Sequence, residues 1–180
     1  MLGVYVHIPF CRHKCLYCDF PSYSGLDCYM AGYVPALCRE IAATPYAGKP
    51  VDTIYIGGGT PSILSAPSME AIVRTLRQTF AVTGDAEITI EANPESLDRE
   101  KAEAYVACGI NRLSLGIQSF SDEMLSFLGR IHTAKEGEQA LDAAWKAGIR
   151  NLSIDLMYGL PGQTVDDVRR DVQRLGEDRK

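Results

Sequence analysis

Positive charge and long apolar runs are both scarce in this sequence. The 180 residues carry 18 Lys and Arg against 23 Asp and Glu, a formal net charge of -5, and no stretch is rich in basic residues. This balance argues against a nucleic-acid-binding surface and against binding to an anionic membrane. The N-terminus has no basic segment of the kind that opens a signal peptide, and no stretch is apolar for long enough to cross a bilayer. The sequence therefore predicts a cytoplasmic protein.

A fourth clustered cysteine is also missing. Three of the six cysteines lie in the short stretch CRHKCLYC, at Cys11, Cys15 and Cys18. The other three, Cys28, Cys38 and Cys108, fit no ligand spacing and are interpreted as ordinary buried thiols. The cluster of three is the feature that needs a chemical explanation.

Three kinds of site compete for these cysteines. A structural zinc site uses four ligands, and here only His7 or His13 could complete the set. A thioredoxin-like redox site needs only two cysteines at the start of a helix. A [4Fe–4S] cluster held by three thiolates leaves one iron open to a further ligand, whereas four thiolates would saturate it. Because cytoplasmic thiols stay reduced, the spacing favours the iron–sulfur cluster, with zinc as the alternative.

The rest of the chain repeats one pattern, a β-branched strand followed by an amphipathic helix. Strands are predicted at 3–8, 51–59, 87–94, 110–119 and 151–159, and helices at 33–43, 65–80, 98–107, 121–128, 135–147 and 164–174. Pro35 is expected in the first turn of its helix, where proline is tolerated. Five strand–helix units predict parallel strands with right-handed crossovers, in an open doubly wound sheet or in a (β/α) barrel.

Polar residues and glycines gather where the predicted strands end. The cysteine loop follows the first strand, and the later strand ends carry Gly57 to Gly59, Glu91 and Asn93, Gln118, and Asp155 just before the turn GLPG. In both candidate folds the active site lies at the C-terminal ends of the strands. We therefore expect a single site built from five strand ends.

The CxxxCxxC spacing after the first strand resembles the signature of the radical S-adenosylmethionine (SAM) enzymes. The motifs YVHIPFCRHKCLYCDF, IGGGTPS, EANPE, LGIQSF, LGRIH and DLMYGLPGQT narrow the resemblance to one branch. This branch holds the oxygen-independent coproporphyrinogen III oxidases of porphyrin biosynthesis and the HemW-type heme chaperones. The resemblance implies a partial (β/α)6 barrel, a [4Fe–4S] cluster whose open iron is chelated by SAM, and an electron donor for the cluster. In such enzymes one electron from the cluster cleaves SAM to a 5′-deoxyadenosyl radical.

The resemblance also implies roles for individual residues. Cys11, Cys15 and Cys18 match the three cluster ligands. Positions that contact the cluster-bound SAM match Tyr5, Gly58 and Glu91, and positions that line a second SAM site in the oxidase match Tyr17, Gly59, Thr60, Gln118, Arg130 and Asp155. Three of these have simpler interpretations: Tyr5 as a core aromatic, Glu91 as part of a salt bridge and Arg130 as part of a surface ion pair. No residue is assigned a catalytic role, and the motifs define none for His7 or His132.

One departure separates the two members of the branch. The oxidase pattern CxxxCxxCxC places a further cysteine after the third ligand, whereas this chain has Phe20 there. Together with the DLMYGLPGQT segment, this favours a heme chaperone, which binds heme and transfers it to an acceptor protein, over catalysis. The alternatives are a coproporphyrinogen III oxidase, which converts propionates to vinyl groups, and a zinc-stabilised binding module.

The last repeat has no sixth strand after its helix, and the chain ends at GEDRK. Because the resemblance implies a sixth strand and a C-terminal domain, residues 1–180 are expected to form the N-terminal radical SAM core domain of a longer protein. The fifth strand would then be an unpaired edge, so the isolated chain is expected to aggregate or to be unusually unstable.

Overall fold

The computed structural model of the protein describes residues 1–175, so the predicted end at GEDRK lies outside the described residues. Its strands are β1 (Leu2–Ile8), β2 (Phe10–Cys11), β3 (Tyr23–Ser24), β4 (Pro50–Gly58), β5 (Ala81–Ala92), β6 (Arg112–Gln118) and β7 (Asn151–Leu156). Its helices are α1 (Met30–Ala42), α2 (Ala66–Thr79), α3 (Arg99–Cys108), α4 (Asp122–Phe127), α5 (Ala134–Lys146) and α6 (Val165–Arg174). Single 3₁₀ turns lie at Asp27–Tyr29, Pro61–Ile63 and Pro94–Ser96.

Five parallel strands form the main sheet, in the order β1-β4-β5-β6-β7. The spatial order therefore follows the chain order, whereas a doubly wound sheet reverses its order at a switch point. The helices also pack against their neighbours in sequence, α1 on α2, α2 on α3 and α3 on α5. This topology is that of a partial (β/α) barrel, and it confirms the barrel alternative over the open doubly wound sheet.

The two faces of the sheet differ sharply in chemistry. Alternate residues of β4 and β5, such as Ile54, Ile56, Ile88 and Ile90, are fully buried in the hydrophobic core together with α2. Burying one such side chain stabilises the fold by about 1.5–3 kcal/mol. The intervening positions face the concave side, and in β6 they are Arg112, Ser114, Gly116 and Gln118. The helices therefore cover an apolar outer face and leave a polar inner face for the site.

Two elements start at least three residues earlier than predicted. The helix expected at 33–43 begins at Met30, after the 3₁₀ turn at Asp27–Tyr29, so Pro35 lies in its second turn rather than its first. The strand expected at 87–94 begins at Ala81, because Ala81 and Val82 also pair with β4 before the register shifts. It ends at Ala92, since Pro94 starts a 3₁₀ turn and has no N–H for the sheet.

Helix ends follow the capping residues of the sequence. The Asp98 side chain accepts from Lys101 N at 2.8 Å, and Gly109 adopts φ of 92° at the C-terminus of α3. These are the cap and the stop predicted for that helix.

Among residues 1–175, no helix is both long enough and apolar enough to span a bilayer.

Candidate functional site

The cysteine loop spans residues 10–22 and begins with β2. It ends at β3, which pairs in parallel with β2 in a separate two-stranded sheet. His7 Nε2 donates to Pro21 O at 2.9 Å, and Lys14 Nζ donates to Phe20 O at 3.0 Å. Because a carbonyl only accepts, His7 Nε2 carries the hydrogen, and Nδ1 therefore accepts from Tyr5 OH at 3.0 Å. His7, which the motifs left without a role, ties the loop to β1.

Two of the three clustered sulfur atoms receive hydrogen bonds from polar side chains. Thr60 Oγ1 donates to Cys11 Sγ at 3.5 Å, and Arg130 Nη1 donates to Cys15 Sγ at 3.3 Å. Cys18 is brought back towards them by a turn in which its N–H donates to Cys15 O at 3.1 Å. A hydroxyl and a guanidinium directed at sulfur stabilise the thiolate, which is the form that binds iron.

A single metal ion would need its ligands to converge on one point. Within residues 1–175, no three His, Cys, Asp or Glu side chains form such a group. A [4Fe–4S] cluster places each thiolate on a different iron, so its ligands need only surround a common space. Cys11, Cys15 and Cys18 line one cavity, and the donors on Cys11 and Cys15 suit thiolates. The donor set therefore fits the cluster better than it fits zinc.

The glycine run at the end of β4 is explained by close contacts within the protein. A Cβ on Gly59 would lie 2.6 Å from Phe10 O and 3.0 Å from Cys11 Sγ. Gly58 has φ of 122°, a conformation that other residues rarely adopt. The approach of the cysteine loop therefore already requires glycine here, and a role in admitting the methionine group of SAM stays a prediction.

Glu91 is held in place by two donors from β4. Tyr55 OH donates to its Oε1 at 2.7 Å, and Gly58 N donates to its Oε2 at 3.0 Å. Burial and the hydrogen bond to Glu91 raise the pKa of Tyr55 well above its usual value, so this phenol remains a donor. The Tyr5 ring stacks on Tyr55 with 6.2 Å between centroids and is 55% exposed. The interpretation of Tyr5 as a core aromatic is therefore wrong, as Tyr5 lies on the open inner face.

The end of β6 is strained. Gln118 has φ of 70° and is the one non-glycine residue with positive φ between residues 1 and 175. Such a conformation costs about 1–3 kcal/mol and tends to occur where a site requires it. On the same face, Ser114 Oγ donates to Asp155 Oδ1 at 3.5 Å. Burial raises the pKa of Asp155, and the Ser114 hydrogen bond and the Arg112 charge oppose that rise.

Arg130 is a buried cation, with a side chain only 5% exposed. Its Nη2 donates to Gly116 O at 2.8 Å and lies 4.0 Å from Glu95 Oε2. The surface ion pair considered for Arg130 is therefore wrong. Burial alone would lower the pKa of Arg130, but nearby Cys15, Tyr17 and Glu95 raise it. Burial in the same region raises the pKa of Tyr17 to about 12.

Eleven of the twelve predicted site residues line a single cavity at the C-terminal ends of the strands. Tyr5 is the exception and lies on the adjacent inner face. The cavity is also lined by His13, which the sequence offered only as a zinc ligand, and by Asn93, which was expected at a strand end of the site. The sequence assigned no binding role to the remaining lining residues, Lys14, Phe20, Ser22, Ala92, Ser114 and Gly116. Ser114 and Gly116 could have been found from the alternation of β6, because they share a face with Gln118.

Comparison with known proteins identifies the family to which the chain is similar. Residues 5–175 match the family described as the Radical SAM superfamily. The chain is 45% identical over 171 residues to the heme chaperone HemW of Synechocystis, covering 92% of this chain and 42% of that protein. It is 41% identical to HemW of Escherichia coli, covering 98% of this chain and 47% of that protein.

A solved structure of the same branch is also similar. Coproporphyrinogen III oxidase (HemN) from Escherichia coli superposes with a TM-score of 0.88 at 32% identity, over 96% of this chain and 41% of that one. The chain thus spans less than half the length of the relatives it matches. Because the family match covers nearly all of the described residues, the chain belongs to the radical SAM superfamily.

Proposed function

We propose that the chain binds a [4Fe–4S] cluster through Cys11, Cys15 and Cys18. The cluster would supply an open iron for SAM and a one-electron couple, reduced by a separate electron donor. The support comes from the shared cavity and from the donors on two of the sulfur atoms. Membership of the radical SAM superfamily makes the cluster the expected group for this cysteine spacing.

SAM is the ligand proposed for the cavity beside the cluster. Each oxygen of Glu91 accepts one hydrogen bond from β4, so further lone pairs are available for ribose hydroxyls or an ammonium group. Tyr5, Gly58 and Glu91 would contact this SAM. A second SAM is proposed for the part of the cavity lined by Tyr17, Gly59, Thr60, Gln118, Arg130 and Asp155.

Heme chaperone activity is the function that we favour, with heme as the cargo and a heme-binding protein as the acceptor. The observation that carries it is Phe20, which lines the cavity and is 53% exposed where the oxidase pattern has a cysteine. An exposed aromatic ring in the lining of the cavity suits a planar, largely apolar ligand. HemW proteins at 45% and 41% identity support the same choice.

Oxidation of coproporphyrinogen III is the second candidate. It is favoured by the TM-score of 0.88 with the Escherichia coli oxidase, whose identity to this chain is lower at 32%. Both candidates share the cluster and the porphyrin-type ligand. They differ in whether the ligand is transferred unchanged or loses carboxyl groups, so turnover separates them.

The test begins with anaerobic purification and reconstitution with iron and sulfide, followed by iron and zinc analysis and absorption spectra with and without heme. We expect about four irons per chain and a Soret band that shifts when heme binds. Single Cys11→Ser, Cys15→Ser and Cys18→Ser variants should lose most of the iron. Cys28→Ser is the matched control, because Cys28 lies outside the cavity and is exposed, which makes its interpretation as a buried thiol wrong.

The other outcomes lead to different conclusions. Iron binding without a heme-dependent spectral change, followed by turnover of coproporphyrinogen III, would replace the chaperone with the oxidase. Zinc in place of iron would contradict the cluster and leave the binding module. Equal iron loss in the Cys28→Ser control would show that the three clustered cysteines are not special.

A further inference from the structure

Glu95 and His132 belong to the motifs EANPE and LGRIH but take no part in the proposed function. The structure places them together beside the cavity, with the His132 side chain 0% and the Glu95 side chain 13% exposed. His132 Nδ1 lies 3.5 Å from Glu95 Oε2, and His132 Nε2 lies 3.2 Å from Ile117 O. Because that carbonyl only accepts, Nε2 donates to it and the ring orientation is fixed. Among the described residues, neither His132 Nδ1 nor Glu95 Oε2 has a hydrogen-bond partner. Because burying polar groups is costly, we expect such a buried pair to have a role.

One hydrogen-bond chain runs from Glu95 to Cys11. Asn93 Nδ2 donates to Glu95 Oε1 at 3.1 Å and to Thr60 Oγ1 at 3.2 Å. Since the Thr60 hydroxyl accepts from Asn93, its own hydrogen is free to point to Cys11 Sγ, 3.5 Å away. Glu95 therefore fixes the amide that in turn orients the donor on Cys11.

A second chain, which starts with an ion pair rather than a hydrogen bond, runs from Glu95 to Cys15. Arg130 Nη2 lies 4.0 Å from Glu95 Oε2, while Arg130 Nη1 donates to Cys15 Sγ at 3.3 Å. Burial makes this pair depend on its geometry, because an unpaired buried guanidinium would be strongly unfavourable. The opposite charge of Glu95 therefore helps to keep the guanidinium beside Cys15.

We propose that Glu95 is a positioning residue that directs donors to the sulfur atoms of both Cys11 and Cys15 and so raises the reduction potential of the cluster bound there. The inference rests on the proposed function only in requiring that the chain binds the cluster. Hydrogen bonds and positive charge at cysteine sulfur favour the reduced cluster, which carries one more negative charge. Two donor chains that meet at one carboxylate give Glu95 influence over two ligands at once.

The test compares midpoint potentials of the reconstituted full chain, measured by redox titration monitored by electron paramagnetic resonance. Glu95→Asp keeps the charge but shortens the side chain, so it should let Asn93 and Arg130 move and should lower the potential. A charge effect through space alone predicts no shift for this variant. Glu95→Gln separates the two explanations more clearly. Loss of a negative charge alone would raise the midpoint potential, whereas loss of the positioning of Asn93 and Arg130 should lower it.

Glu103→Asp is the matched control, because Glu103 also pairs with an arginine, Arg99 at 2.7 Å, but on the exposed side of α3. It should leave the potential unchanged. In an Arg130→Gln background, Glu95→Asp should shift the potential less than in the wild type, since one of its two chains is already broken.

Each outcome decides between the proposals. A wild-type chain that takes up no cluster would overturn the proposed function. If the wild type binds the cluster and the Glu95→Asp variant has the same potential, this inference is overturned. A Glu95→Asp variant that folds but binds no iron would also overturn it, because donors that tune the potential of a cluster are not required for its binding. If circular dichroism shows that Glu95→Asp does not fold, Glu95→Gln decides alone, because it keeps the side-chain length and removes only the charge. A raised or unchanged potential in Glu95→Gln would then overturn the inference.

Discussion

Gly59 is the residue at which the end of β4 meets the start of the cysteine loop. A Cβ there would press on Phe10 O at 2.6 Å, and a backbone carbonyl cannot swing aside as a flexible side chain can. We expect Gly59→Ala to lower the free energy of unfolding by about 1–3 kcal/mol and to reduce iron uptake by displacing Cys11. Urea unfolding of the apo chain and iron analysis after reconstitution measure the two effects.

Gly32→Ala is the matched control for Gly59→Ala. Gly32 lies inside α1, has no atom within 4 Å of an added Cβ and has an ordinary φ. Alanine there should stabilise the helix by about 0.5–1 kcal/mol. Equal unfolding midpoints for the two alanine variants would contradict the contact argument.

Single residues of the site were predictable to different degrees. The cysteine spacing and the strand-end positions of Glu91, Gln118 and Asp155 can be read directly in the sequence, and all of these residues line the cavity. The position of Glu95 could not be interpreted in the same way, because its contact with Arg130 joins residues that are distant in sequence. Contacts of this kind depend on register and side-chain direction, which motifs do not encode.

At the level of elements, α5 is held by a capping box. Thr133 Oγ1 accepts from Glu136 N at 3.2 Å, and Glu136 Oε2 accepts from Thr133 N at 2.7 Å. The helix buries Leu141 against the core, so its start matters for packing. The hydrogen bond from the Thr133 backbone lowers the pKa of Glu136 below its ordinary value of 4.5.

The capping box predicts a pH dependence of stability. A carboxyl whose pKa is lowered in the folded state stabilises the fold above its unfolded pKa, and this contribution is lost as the pH falls through the folded pKa. We expect Glu136→Gln to be less stable than the wild type at neutral pH and to lose that deficit in acid, below about pH 4. Urea unfolding across this range measures the difference.

Glu138→Gln is the control for the box, because Glu138 lies on the same helix outside it and its ion pair with Arg174 is exposed and contributes little. Its stability difference from the wild type should change little with pH. Thr133→Ala, which removes the cap itself, should cost about 1 kcal/mol at neutral pH. A Glu136→Gln variant that parallels the wild type at every pH would contradict the assigned cause of the pKa change.

The same elements explain which boundaries could be predicted from local sequence. Caps are local, so Asp98 and Gly109 marked α3 correctly. The start of β5 is not local, because Ala81 and Val82 become strand residues only by pairing with β4. The segment that follows them, Thr83 to Ala86, has a composition typical of a turn, so the sequence gives no indication that Ala81 and Val82 belong to the strand.

At the scale of the whole molecule, sequence periodicity predicts parallel strand–helix units but leaves barrel and doubly wound sheet open. The choice depends on strand order, which is a tertiary property. Once β1-β4-β5-β6-β7 is known, the edges of the described sheet are β1 and β7. Their free backbone groups are a template for pairing with another chain.

The β7 edge carries further exposed apolar surface beside it. Tyr158 is 82%, Val165 75% and Val172 55% exposed, and Leu152 and Ile154 of β7 are only half-buried. We therefore expect the 180-residue chain to self-associate through this side as its concentration rises, which sedimentation velocity measures. Lysine on an edge strand opposes such pairing, so Ser153→Lys should shift the chain towards the monomer.

Ser126→Lys tests whether the effect belongs to the edge, because it adds the same charge at an exposed position of α4. If net charge alone governed association, both variants would become equally monomeric, and the edge explanation would fail. A wild-type chain that stays monomeric at every concentration and melts cooperatively would also contradict it. We expect association to depend on β7, because this edge strand presents free backbone groups beside an apolar face of α6. A substitution on β7 should therefore reduce association, whereas a substitution elsewhere should not.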